Sequence, residues 1–210
     1  IKVLGTGDFT HPAWFKELQE KLEPAEEGLY KLRGSDSGAR FVLSSEISCI
    51  YSKKGRVRRI HLLLLVPSLR AAEHINTRLD SVGNLKSDGR PILGIDATEV
   101  LKIALDASPE TLVIPAHAWT PWFSVFGSKS GFDSLEECFD EYAKHIHAIE
   151  TGLSSDPPMN WRLSALDTIA LISNSDSHSL AKMGREANVF DAELSYPGIR
   201  DAIVTKDTGK

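Results

Sequence analysis

A chain of 210 residues that is 41% hydrophobic and 25% charged has the ordinary composition of one larger α/β domain, and it holds no apolar run of the roughly 20 residues needed to cross a bilayer. The formal net charge of -5 excludes a general attraction for polyanions, so any contact with nucleic acid has to come from local basic patches or bound cations. Cys49 and Cys138, the two cysteines, lie in no CxxC pair, which argues against a thiolate zinc site and for reduced thiols in a soluble cytoplasmic protein.

The chain opens on Ile1 with no methionine or polar leader, so a fragment of a longer protein is expected. Apolar residues at 1–4 read as a first strand, followed by an amphipathic helix over 13–22 and a second strand over 40–45. Residues 48–52, the turn Lys53-Lys54-Gly55 and residues 57–66 predict a β-hairpin, with the strongest strand character over 60–66. A helix over 69–79, a surface loop over 84–91 and a helix over 98–107 come next, then a strand at 111–115 and an aromatic, glycine-rich loop over 121–131. Asp133 and Ser134 ahead of Glu136 and Glu137 give a capping-type start to a helix over 135–147. Strands at 148–151 and 170–174 flank a helix over 162–168, and the polar ending 205–210 is compatible with a tail or a lead into another domain. Strands alternating with helices imply a largely parallel α/β sheet or barrel, made locally mixed by the hairpin, in one domain over 1–210.

In such folds ligands gather at the carboxyl ends of strands. Asp8 and His11 follow the first strand, Glu46 ends the second, His61 lies in the third, His117 follows the fourth, and Asp176 and His178 follow the sixth. Imidazole nitrogens and carboxylate oxygens suit zinc, manganese or iron, and a carboxylate can bridge two metals. Singly, each residue is compatible with a duller role: His61 as a bonded core histidine, Asp8 as a turn residue or cap, Glu46 in an ion pair, His117 in a loop. Asp176-Ser177-His178 is more specific, because alternate residues leaving a strand face one site. The recurrence of such residues at strand ends is what points to a metal site. His74 and His145 read as surface residues, and His147 fits either role.

Five segments, taken in order, resemble the PHP (polymerase and histidinol phosphatase) superfamily and within it the endonuclease Q family: Gly5-Thr-Gly-Asp-Phe-Thr-His-Pro12, Ser44-Ser-Glu-Ile-Ser48, Arg59-Ile-His-Leu-Leu63, Pro115-Ala-His-Ala-Trp-Thr-Pro121 and Ser173-Asn-Ser-Asp-Ser-His-Ser179. The resemblance implies a distorted (β/α)7 barrel, lacking its first strand here because the family's opening His-x-His precedes Ile1. It implies two or three divalent metals, with zinc expected and manganese, iron or magnesium acceptable, held by Asp8, His11, Glu46, His61, His117, Asp176 and His178, with Glu46 as a bridge. Family members of the endonuclease Q type also carry C-terminal domains that help bind damaged DNA.

The implied activity is metal-dependent phosphodiester hydrolysis, as a DNA repair endonuclease at deaminated bases. Divalent metals lower the pKa of bound water and clamp both oxygens of an in-line displacement at phosphorus, so no serine or cysteine nucleophile is needed; neither G-x-S-x-G nor a P-loop is present. Asp176 is expected to orient metal and hydroxide, with His117 or His178 coordinating and shuttling a proton. Trp119 and Trp122, with Phe123 and Phe126, are candidates for stacking on a displaced base, and Arg185 for clamping a phosphate. The basic run Lys53, Lys54, Arg56, Arg58 and Arg59 reads either as a phosphate-binding hairpin or as a solvated edge. DNA is the expected partner of the complete protein, and no membrane is. Two other readings share the pattern: a small-molecule phosphatase resembling histidinol phosphatase, and a catalytically silent PHP scaffold.

Overall fold

One long hairpin organises the molecule, whose computed structural model describes residues 1–87 and 91–206. Strands β4 (Arg40–Lys53) and β5 (Arg56–Val66) pair antiparallel from Leu43↔Val66 to Lys53↔Arg56. Lys54 and Gly55 form the turn with φ of 52° and 73°, the double positive φ that a two-residue hairpin turn needs to match strand twist. Register then decides which side chains share a face, because the period is two. Ile47, Cys49, Ile60, Leu62 and Leu64 fall on one face and are fully buried. Glu46, Ser48, His61 and Leu63 fall on the other.

The first face carries the main core. Helices α2 (Leu69–Asp80) and α3 (Ala97–Ala107) supply Ala72, Ile75, Leu79, Leu101 and Ala104 to it, and Ser68 and Asp96 cap their N-termini by accepting from Ala71 and Thr98 N–H. Further strands extend the hairpin into a seven-stranded sheet: β1 (Val3–Gly5) and β6 (Ile92–Leu93) lie parallel to β4, and β7 (Leu112–Pro115) lies antiparallel to β5. Before β4 come α1 (Pro12–Lys21) and a small antiparallel pair, β2 (Leu22–Pro24) and β3 (Tyr30–Leu32).

After β7 the chain forms short α4 (Leu135–Phe139), β8 (Ala148–Glu150), short α5 (Pro157–Asn160), β9 (Ala170–Ile172) and α6 (Tyr196–Thr205). Strands β8 and β9 pair in parallel as a separate sheet. Leu112, Ile114, Ala148, Ala170, Ile172 and Ile203 form a second apolar cluster on the His61 face, with Leu63 and Leu65 against it. The result is a mixed α/β fold. Among the described residues the two sheets do not close into a barrel, although Ala118 N–H donates to Glu150 O at 2.8 Å where β7 and β8 end.

The helix predicted over 135–147 stops at Phe139, because Asp140 turns left-handed (φ 53°) where Lys53 binds its carboxylate, and 140–145 continue as a 3-10 turn. Its start is as expected: Ser134 accepts from Glu137 N–H and Glu137 accepts from Asp133 N–H. The helix predicted over 162–168 reduces to one 3-10 turn at Ser164–Leu166. Part of the predicted loop over 84–91 and most of the 205–210 tail lie outside the described residues. Both cysteines are free and buried, and among the described residues no helix is long and apolar enough to cross a membrane.

Candidate metal centre

The hairpin register puts Glu46 opposite Leu63 and His61 opposite Ser48, so the two are diagonal neighbours on one face. His117 follows the end of β7, where Ala116 N–H donates to His61 O at 3.0 Å. These ladders bring three donor atoms together. His61 Nδ1 lies 2.9 Å from Glu46 Oε1 and 3.0 Å from His117 Nε2, and His117 Nε2 lies 3.6 Å from Glu46 Oε1. Phe123 stacks on the His61 ring at 4.6 Å, and its carbonyl accepts the His61 N–H at 3.1 Å.

His117 is held from three sides. Its backbone is left-handed (φ 31°), and its N–H donates to Glu150 Oε2 at 2.8 Å. Gly152 packs so closely that a Cβ there would stand 2.7 Å from His117 Cβ. On the ring, Nδ1 lies 3.0 Å from Thr120 Oγ1, a hydroxyl 2.8 Å from the Trp122 carbonyl. A carbonyl only accepts, so the hydroxyl donates to Trp122 and accepts from His117 Nδ1–H, an assignment made from the network that turns Nε2 toward His61 Nδ1 and Glu46 Oε1. Burial disfavours the His117 imidazolium, but the bonded Glu46 carboxylate and the charges of Glu150 and Asp176 outweigh it and hold its pKa above the ordinary histidine value. Burial pushes Glu150 up, against the lowering effect of His117 N–H and Asn174.

The remaining predicted residues come from the turn after β1, the segment after β7 and the loop after β9. Asp8 (φ 42°) and His11 sit in the turn after β1, which is tied to β4 just before Glu46 by Phe9 N–H to Ser44 O and by Thr10 Oγ1 to Ser45 Oγ at 2.8 Å. Asp176 (φ 43°) lies on the loop after β9, close enough for its charge to act on His117. His178 is exposed, with Nδ1 3.0 Å from the Asp176 carbonyl, and Arg185 donates to the carbonyls of Ser175 and Asp176. Trp119 packs on Phe126 and donates to Asn160, whereas Trp122 is half exposed beneath Arg59. Within the basic run, Arg58 is buried over Phe132 and bonded to Gly131 O, and Lys53 binds Asp140, so these two serve the fold; Lys54 and Arg56 remain exposed.

The donor set fits a divalent metal. Tetrahedral zinc with bonds of about 2.0–2.1 Å separates its ligands by about 3.3 Å, and the observed 2.9, 3.0 and 3.6 Å bracket that edge. Glu46, expected to end a strand over 40–45, lies mid-strand, because β4 runs unbroken to Lys53 and takes in the strand expected separately over 48–52. Sequence reasoning missed Glu150, which is 4% exposed and ends β8; the strand-end rule applied to Ala148-Ile-Glu150 would have found it.

No family model matches the chain. Among solved structures, the lesion-specific endonuclease PfuEndoQ from Pyrococcus furiosus aligns with a TM-score of 0.81 and 32% identity, covering 97% of this chain and 48% of that one. The chain shares the fold of endonuclease Q, a PHP-superfamily member. A second endonuclease Q structure, in complex with a 27-mer duplex substrate bearing an abasic lesion at the active site, matches equally, with TM-score 0.81 and 32% identity over 97% of this chain and 48% of that one. Among curated proteins, the uncharacterized YqxK of Bacillus subtilis is 31% identical over 199 residues, 90% of this chain and 47% of YqxK. The uncharacterized MJ0043 of Methanocaldococcus jannaschii is 29% identical over 122 residues, 58% of this chain and 12% of MJ0043. The chain thus spans about half the length of endonuclease Q and of YqxK.

Proposed function

We propose that this chain is the metal-binding part of a DNA endonuclease that hydrolyses phosphodiesters at deaminated bases. The observation that carries the reading is the meeting of Glu46, His61 and His117 within 3.6 Å on a fold aligned with endonuclease Q at a TM-score of 0.81. Glu46, His61 and His117 would hold the first ion, with Asp8, His11, Asp176 and His178 completing a site for two or three, zinc being the fit to mixed imidazole and carboxylate donors. When bound, such ions supply Lewis-acid activation of water and charge neutralisation at phosphorus.

The chain's own residues do the remaining work. Asp176 orients the nucleophile from the β9 loop, and His117 or His178 carries the proton. Arg185, its guanidinium against the Ser175 and Asp176 carbonyls, stands beside that loop to meet a phosphate; Trp122 offers an exposed indole to a displaced base, with Trp119 behind it as support. The bond from Ala118 N–H to Glu150 O supports a further reading, in which the two sheets are successive arcs of one (β/α)7 barrel in a longer cytoplasmic protein. The test is cleavage of end-labelled duplexes containing uracil, hypoxanthine or an abasic site by the longer protein, with manganese, magnesium or zinc and with chelator. Lesion-dependent nicking abolished by chelator is expected. Hydrolysis of p-nitrophenyl phosphate with no nicking of any lesion duplex would overturn the reading.

A further inference from the structure

We propose that Glu150 is a positioning residue that braces His117 against the Asp176 loop, and that the brace requires a carboxylate at position 150. A single run of hydrogen bonds links the ends of β7, β8 and β9. Ser173 N–H donates to Asn188 Oδ1 at 2.8 Å, Asn188 Nδ2 donates to Asn174 Oδ1 at 3.1 Å, and Asn174 Nδ2 donates to Glu150 Oε1 at 3.0 Å. From the other side, His117 N–H donates to Glu150 Oε2 at 2.8 Å.

The polarity of this run is fixed at both ends. Ser173 and His117 enter it through main-chain N–H groups, which cannot be turned into acceptors. Asn188 and Asn174 each accept once and donate once, so each passes the direction along unchanged. Two donor streams therefore converge on position 150, at two different oxygens. A carboxylate presents acceptors at both, which an amide cannot. Glutamine has the same shape but sets an amide donor against a donor, and turning Asn174 and Asn188 over merely moves the conflict to Ser173 N–H. The relay also explains why the left-handed His117 backbone and the Asp176 loop keep a fixed relation without a strand between them: Asn174 stands two residues before Asp176. The functional part of this inference rests on the reading that His117 and Asp176 serve one metal site; the brace itself does not.

The logic predicts a swap. Glu150→Gln leaves two donors facing each other, and Asn174→Asp alone sets two carboxylates together. Combined, the introduced amide at 150 accepts from His117 and donates to the introduced carboxylate at 174, which also accepts from Asn188, so every group is satisfied at unchanged net charge. Exchange of the His117 backbone amide is measured by NMR on the metal-free chain, with the ladder amide of Ile47 as the reference for global opening. Glu150→Gln is expected to speed His117 exchange by about tenfold or more relative to Ile47, and the double variant to restore it to within about threefold of the parent. Zinc affinity by chelator competition should fall by about 10- to 100-fold in each single variant and recover in the double. Unchanged His117 exchange in Glu150→Gln, or a double variant no better protected than the singles, overturns the brace. Because exchange is read without metal, a parent that binds no zinc would defeat the proposed function and leave the exchange result to decide the brace.

Discussion

The middles of β4 and β5, the turn after β7 and the loop after β9 carry the same kinds of side chain, yet they hold them by different means. Glu46 and His61 stand in paired strands, and His117 in a turn clamped by Glu150, Thr120 and Gly152, so their donor atoms meet through backbone ladders and packing. Asp176, His178 and Arg185 lie beyond β9, where His178 and Arg185 bind loop carbonyls and His178 Nδ1 stands 3.8 Å from Asp176 Oδ1. The His178 side chain is 71% exposed against 7% for His61. A ladder fixes ligand geometry in advance, whereas a loop supplies charge whose aim depends on local contacts.

The sharpest way to break this comparison is to remove one residue from each region. Glu46→Ala should weaken zinc binding by more than about 100-fold, beyond the range of outer-sphere partners, and His178→Ala by less than about tenfold. Equal losses in chelator competition would erase the distinction. Catalysis should weigh the other way: Asp176→Asn in the longer protein is expected to lower nicking of lesion duplexes by about 100-fold or more with an unchanged melting temperature. Full turnover would remove Asp176 from the chemistry.

Packing behind the first region gives a smaller effect. Gly152→Ala puts a Cβ at φ 58° and 2.7 Å from His117 Cβ, so urea unfolding should show a loss of about 1–3 kcal/mol. The smallest effect lies outside both regions, at the partly exposed pair of Glu26 and Arg40. The Arg40 guanidinium bonded to Glu26 holds that carboxyl below its ordinary value of 4.5. A lowered folded-state value contributes stability above the unfolded pKa and loses it as pH falls through the folded one. Glu26→Gln should therefore lower the melting temperature slightly at neutral pH, and the difference from the parent should vanish in acid well below pH 4.5.

Local chemistry explains which features were legible in the sequence. The hairpin was, because Lys54-Gly55 supplies the turn and 57–66 the strand pattern. Acids and imidazoles in or just after strands singled out Glu46, His61 and His117, but these three meet through antiparallel register and not at a shared strand end, because β5 runs opposite to both β4 and β7. The β2–β3 pair was not legible: its strands are three residues each, and Gly28 (φ 68°) is needed there for room beside Tyr196, a partner distant in sequence. Arg58 read as surface charge until Phe132 and Gly131 folded over it. Helix α6 carried a signal that went unused, Ser195 followed by Pro197, with Ser195 accepting from Gly198 N–H. Glu150 was open to the strand-end rule, but its link through Asn174 to Asn188 was not, since only the fold brings those side chains to it.

The most direct test of the account is anomalous diffraction at the zinc edge from crystals of the zinc-loaded protein. A peak within about 2.0–2.2 Å of Glu46 Oε1, His61 Nδ1 and His117 Nε2 is predicted. Zinc found elsewhere on the chain, with these three side chains still bonded to one another, would contradict it.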